Sequence, residues 1–229
     1  MPSVKFLGHT CFTVTEGADT VIFDPFLEGN PQAVCGPDEV DVTAVLPSHG
    51  HSDHLGDTVA IAKRCDALVI APYELAVYCE RQGCTVHPLH IGGGADFPFG
   101  RVKLTVALHG SGIMDDEIPI YTGPPCGFLL TMGGKTLYYA GDTGLCGDMK
   151  LLGDLNTIDL AFLPIGDNFT MGIADAVEAV KLLQPAKVVP MHYKTFEPIE
   201  AEPEEFAAKV SAQTSAECIV MSPGESIDV

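Results

Sequence analysis

The sequence predicts a single α/β domain spanning residues 1–229, and three observations predict it. Strand-rich stretches lie on either side of helical ones. Apolar runs end repeatedly in a His or an Asp, so the side chains able to do chemistry need a shared rim. A chain of 229 residues with 46% hydrophobic content suffices for one large core.

Residues 4–7, 11–14 and 20–23 are β-rich, and the turn signals Gly8-His9-Thr10 and Glu16-Gly17-Ala18-Asp19 between them predict two consecutive hairpins. His9 lies in the first tight turn, where an imidazole brought near a metal would contact substrate. Asp24-Pro25-Phe26 closes the third strand, and residues 29–37 form a loop by their Gly and Pro content. Residues 44–47 read as a short interior strand, followed by a helix over 55–64 in which Leu55, Val59 and Ala62 recur at helical spacing. A strand at 67–71, a helix at 73–81 and a strand at 85–89 make a strand-helix-strand unit. Ile91-Gly92-Gly93-Gly94 lacks the Gly-Lys-Ser/Thr and the helix of a phosphate loop and reads as a hairpin turn.

The strand at 101–108 alternates cleanly and ends at His109. Residues 110–127 then read as a long loop covering the substrate, because structureless loops beyond about 12 to 15 residues are usually functional or disordered. Strands at 128–131 and 136–140 pair through a Gly-Gly turn, and the second runs into Gly141-Asp142-Thr143-Gly144, which sets a carboxylate between small neighbours at a strand end. A helix at 148–155, a strand at 158–164, the loop 166–172, a helix at 173–183 and a strand at 187–191 delivering His192 follow. A helix at 203–210 and a strand at 218–221 finish the domain.

The strand at 44–47 feeds Ser48-His49-Gly50-His51-Ser52-Asp53-His54-Leu55-Gly56-Asp57, three imidazoles and two carboxylates within ten residues. Gly50 permits a bend that lets His49 and His51 converge, with Asp53 and His54 at the entry to the helix. Neutral imidazole nitrogen and carboxylate oxygen suit zinc, manganese and iron, and donors at this density serve two ions rather than one.

Composition narrows the partners. Twelve Lys+Arg against 31 Asp+Glu give a formal charge of −19, which repels nucleic acid and anionic membrane in the absence of a basic cluster. No apolar run approaches the roughly 20 residues of a spanning helix, the start shows no secretory pattern, and the eight cysteines form no C-x-x-C pair, so a cytoplasmic protein with reduced thiols is expected. A small-molecule substrate is expected, and homo-oligomerisation is left open.

The string His49, His51, Asp53, His54 matches the H-x-H-x-D-H signature of the metallo-β-lactamase superfamily residue for residue, and the chain resembles that superfamily along its whole length. The segments Phe6-Leu7-Gly8-His9, Asp24-Pro25-Phe26, Gly123-Pro124-Pro125, Ala140-Gly141-Asp142-Thr143-Gly144, residues 163–172 and Pro190-Met191-His192-Tyr193 resemble its predicted metal-dependent hydrolases, and the chain is similar, more distantly, to the ascorbate-phosphate lactonase branch. The resemblance implies an αββα sandwich of two mixed sheets with helices on the outer faces. It also implies that His49, His51 and His109 hold one metal, that Asp53, His54 and His192 hold a second, and that Asp142 bridges them.

Two ions a few ångströms apart can hold a bridging hydroxide and polarise a carbonyl or phosphoryl oxygen, so hydrolysis of an ester-, lactone-, amide- or phosphodiester-type bond is the expected chemistry. Asp53 would orient the hydroxide or take up its proton, while Asn168, Tyr193 and Lys194, which flank the ligand loops, would contact substrate. Zinc is the expected metal, with manganese or iron as alternatives. The rival readings are a diiron redox enzyme, which needs a flavin-bearing partner domain, and a non-catalytic metal-binding protein, which would be expected to have lost ligands.

Overall fold

The computed structural model describes residues 1–115 and 118–229. Its first half builds strands β1 (Ser3–Gly8), β2 (Cys11–Glu16), β3 (Asp19–Phe23) and β4 (Ala44–Leu46), helices α1 (Ser52–Leu55) and α2 (Thr58–Cys65), strand β5 (Leu68–Pro72), helix α3 (Tyr73–Arg81) and strand β6 (Val86–Leu89). Alternation along these strands divides their side chains between two cores. Phe6, Val21, Phe23, Ala44, Leu46 and Ile70 point inward to the main core, whereas Leu7, Ile22, Val45, Val69 and Ala71 face outward onto Ile61, Leu75 and Cys79 of α2 and α3.

The second half adds β7 (Gly94–Phe97), β8 (Gly100–Val106), β9 (Gly112–Asp115), β10 (Ile118–Tyr121), β11 (Cys126–Met132), β12 (Lys135–Tyr139), α4 (Asp148–Leu155), β13 (Leu160–Pro164), α5 (Ile173–Leu183), β14 (Lys187–Met191), α6 (Pro203–Gln213), β15 (Glu217–Cys218) and β16 (Ser226–Asp228). Two seven-stranded sheets result, ordered β16-β1-β2-β3-β4-β5-β6 and β15-β14-β13-β12-β11-β8-β7. Both are mixed: β1 to β3 pair antiparallel and β3 to β6 parallel, while β12 to β15 pair parallel and β7, β8, β11 and β12 antiparallel. Across the sandwich Phe12 meets Phe162 at 4.5 Å and Phe23 stacks on Tyr139 at 4.6 Å between ring centroids. No helix among the described residues is long and apolar enough to cross a membrane.

Four local expectations are corrected. The helix placed over 55–64 is two pieces, since Gly56 at φ 41° stands between α1 and α2, where a Cβ would lie 2.4 Å from the Pro25 carbonyl oxygen. The glycine run does turn the chain, the Gly93 amide donating to the His90 carbonyl at 2.8 Å, but it links β6 to β7 of the other sheet and is no hairpin turn; the β7–β8 hairpin turns after Phe97. The single strand expected at 218–221 is the short β15, and the chain returns as β16 beside β1. The stretch 110–127 is no structureless loop: β9 and β10 form an antiparallel arm with Gly112 opposite Tyr121. Residues 116 and 117 of that stretch lie outside the described residues.

Candidate metal centre

The donors gather on one rim, Asp53 and His54 from the short helix α1 and the others from strand ends or a tight turn. His49 and His51 follow β4, His109 follows β8, Asp142 follows β12, His192 follows β14, and His9 occupies the β1–β2 turn. His9, Asp24 and His192 adopt left-handed backbone (φ 59°, 39° and 58°), a conformation that costs non-glycine residues free energy and is held here by the surrounding structure. The His192 amide, for example, donates to the His9 carbonyl at 3.0 Å.

The donors form two clusters within which the ligand-capable atoms all lie within 4.8 Å of one another: His49, His51 and His109, and His9, Asp53, His54 and His192. Asp142 stands between them. Its Oδ2 is 3.5 Å from His109 Nε2, 3.2 Å from His54 Nε2 and 3.1 Å from His192 Nε2. His49 Nε2 and His51 Nδ1 are 2.9 Å apart.

Asp24, read from sequence only as the close of a strand, is fully buried beneath both clusters. Oδ1 accepts the Ser48 amide at 2.6 Å, and Oδ2 accepts from Ser48 Oγ, His54 Nδ1 and Tyr139 Oη, each at 2.7 Å. Because the Ser48 hydroxyl donates to Asp24, it accepts from His49 Nδ1 at 2.9 Å, which leaves the His49 Nε2 lone pair free. One carboxylate thus fixes the presented nitrogens of His49 and His54, one from each cluster.

Burial sets most protonation states. It lowers His49 well below the ordinary imidazole range, lowers His51 and His109, and brings His9 down to about 4 although the Asp53 hydrogen bond pulls the other way. Those four rings are neutral at pH 7, the form that binds metal. Burial also opposes charge on His54, but the Asp142 and Asp24 carboxylates outweigh it and raise His54 well above its usual value. Asp142 is likewise held well below the carboxylate range by His54 and His192 despite burial, and Asp53 is held low chiefly by the His9 hydrogen bond.

Of the other predicted contacts, His9 lies in the second cluster and Tyr193, Lys194 and Asn168 lie outside both. His9 is only 1% exposed, with Nδ1 2.8 Å from Thr195 Oγ1 and Nε2 3.2 Å from Asp53 Oδ2, so it braces Asp53 instead of facing open solvent. Tyr193 is packed in the main core, its hydroxyl pushed up to about 12 by burial. Lys194 is exposed and paired with Glu202, and Asn168 is exposed in the loop before α5; neither joins a donor cluster.

The sequence profile of the beta-lactamase superfamily domain matches residues 19–193. The chain belongs to that superfamily. Two metal-dependent hydrolases of the group designated UPF0173, from Pelotomaculum thermopropionicum and Bacillus velezensis, are 54% and 52% identical to it, each match covering 99% of both chains. Among solved structures, the metallo hydrolase Igni18 of Ignicoccus hospitalis superposes with a TM-score of 0.90 at 35% identity, covering 99% of this chain and 97% of that one. The chain is accordingly a metal-dependent hydrolase of the β-lactamase superfamily. Its own residues fit a metal: Asp142 Oδ1 is buried without any hydrogen bond, and a cation among the converging nitrogens satisfies such an atom.

Proposed function

We propose that this β-lactamase-superfamily hydrolase works with two divalent ions, zinc foremost with manganese or iron as alternatives, on an ester-, lactone-, amide- or phosphodiester-type bond of a small molecule. His49, His51 and His109 hold one ion, Asp53, His54 and His192 the other, and Asp142 spans both. The observation that carries this reading is the position of Asp142 Oδ2, within 3.5 Å of nitrogens from each cluster. When bound, the ions supply Lewis acidity toward the scissile group and bring the pKa of water toward about 7. Asp53, 26% exposed at its side chain and braced by His9, would orient that water and take its proton. Asp24 keeps the His49 and His54 nitrogens aimed into the centre.

The formal charge of −19 supports a small-molecule substrate over nucleic acid, and eight free thiols support a reducing cytoplasm. Elemental analysis together with turnover of a lactone, a thioester, an amide and a phosphodiester tests the proposal. Two ions per chain and hydrolysis within that panel are expected; protein that refuses zinc, manganese and iron alike overturns it.

A further inference from the structure

Beside the metal centre a cavity of about 590 Å³ opens between α1 and the β9–β10 arm. Its size is that of a small-molecule site. His51 and Asp53 line it, so a bond held at the centre extends its substituent into this space. Leu55 forms one wall, and Ile113, Met114 and Pro119 of the arm form the other. Among the described lining residues there is no Lys or Arg, and Asp53, at the metal-centre end, is the one carboxylate.

The walls are fixed with respect to the donors. The Gly50 amide, between His49 and His51, donates to Ser111 Oγ at 3.1 Å, and Ser111 Oγ is 2.8 Å from Thr122 Oγ1. These two hydroxyls flank the arm and tie its base to the metal-binding loop. The cavity is therefore largely formed before substrate enters.

We infer that the cavity seats an uncharged aliphatic acyl chain, so the substrate is a neutral carboxylic ester, thioester or lactone, with no phosphate or carboxylate on that chain. The inference rests on the hydrolase reading above and adds the substrate class to it. Apolar walls reward each methylene removed from water by about threefold to fourfold in affinity, whereas a charged group seated among Leu55, Ile113, Met114 and Pro119 would lose its hydration with no Lys or Arg there to replace it.

The test separates binding from turnover. Calorimetric titration of the zinc-loaded protein with acetohydroxamate, butyrohydroxamate and hexanohydroxamate reads the cavity without requiring hydrolysis. The affinity is expected to rise by about threefold to fourfold per added methylene, and a carboxylate-ended chain of equal length is expected to bind at least about tenfold more weakly. Met114→Asp should flatten the series. In parallel, 4-nitrophenyl acetate, butyrate, hexanoate and hemisuccinate should follow the same order in kcat/KM. Affinity independent of chain length in wild-type protein, or preference for the carboxylate-ended chain, overturns the inference even if esters are hydrolysed. A rising affinity series with no turnover of any ester upholds the cavity assignment and counts against the hydrolytic reading alone.

Discussion

Nδ1 of His54 lies 2.7 Å from Oδ2 of Asp24, and both side chains are completely buried. That contact turns the opposite nitrogen of His54 toward Asp142 at 3.2 Å, so the donor's aim depends on a residue that itself touches no other part of the second cluster. Removing such a partner commonly costs about 10- to 100-fold in metal affinity. Asp24→Asn should show a loss of that order in competition with a chromophoric chelator, and it should also lower the melting temperature, because an amide cannot accept from Ser48, His54 and Tyr139 together. Wild-type zinc affinity in this variant would sink the orienting role.

Asp142→Asn tests the bridge. The substitution scarcely changes side-chain volume, but it replaces two anionic oxygens by one neutral carbonyl oxygen and takes a negative charge from between two dications. The variant should fold, bind fewer ions per chain than wild type and lose most of its hydrolytic rate. Full metal content with unimpaired turnover would return Asp142 to the role of an ordinary turn residue.

The metal-free protein should lose stability as pH falls from about 7 to 5. His9, His49, His51 and His109 have lowered folded-state pKa values, so across this window the unfolded chain binds protons that the folded chain does not. Stability then rises with pH by about 1.4 kcal/mol per pH unit for each such proton. His54 has the opposite sign: its raised value contributes stability that is fully present below about 6.5 and is lost as pH climbs through the folded-state value. A stability maximum near neutrality is the result. Urea titrations of chelator-treated protein at half-unit pH steps check it, and a flat profile between pH 5 and 7 would contradict the burial argument.

Much of this was legible in the sequence because the donors stand at the ends of short apolar runs that read as buried strands, as where residues 187–191 deliver His192 or residues 136–140 deliver Asp142. Asp24 was not legible as an orienting group. Its role exists only where residues 24, 48, 54 and 139 converge, and a strand-closing Asp before Pro reads equally well as a turn. The arm was hidden for a different reason. Its strands Gly112–Asp115 and Ile118–Tyr121 are four residues each, one carries Pro119, and both pair only with each other, so no core-facing alternation marks them. His9 was found as a candidate, but its burial against Thr195 depends on a contact 186 residues away in the chain.

Gly50 joins the metal-binding loop to the arm, and its missing side chain is what allows the join. A Cβ there would stand 2.2 Å from Thr122 Oγ1 and 3.2 Å from Thr122 Cβ, so the hydroxyl is the atom chiefly in the way. Gly50→Ala must push either the arm outward or the His49–His51 segment inward, and since Ser111 Oγ also accepts the Gly50 amide, the displacement reaches both ends of the arm. The single variant should bind zinc at least about tenfold more weakly, because ligand geometry displaced by a few tenths of an ångström is poorly matched to short metal–nitrogen bonds. Thr122→Ala removes the obstructing oxygen and by itself costs its hydrogen bond to Ser111, about 1 kcal/mol, together with the packing of one buried methyl. The double variant Gly50→Ala with Thr122→Ala should therefore recover most of the zinc affinity lost in Gly50→Ala. Zinc titrations of the four proteins form a double-mutant cycle, with the clash appearing as a favourable coupling between the two substitutions. Strict additivity would mean that the Thr122 hydroxyl is not what excludes a side chain at position 50, and that the arm does not press on the metal-binding loop.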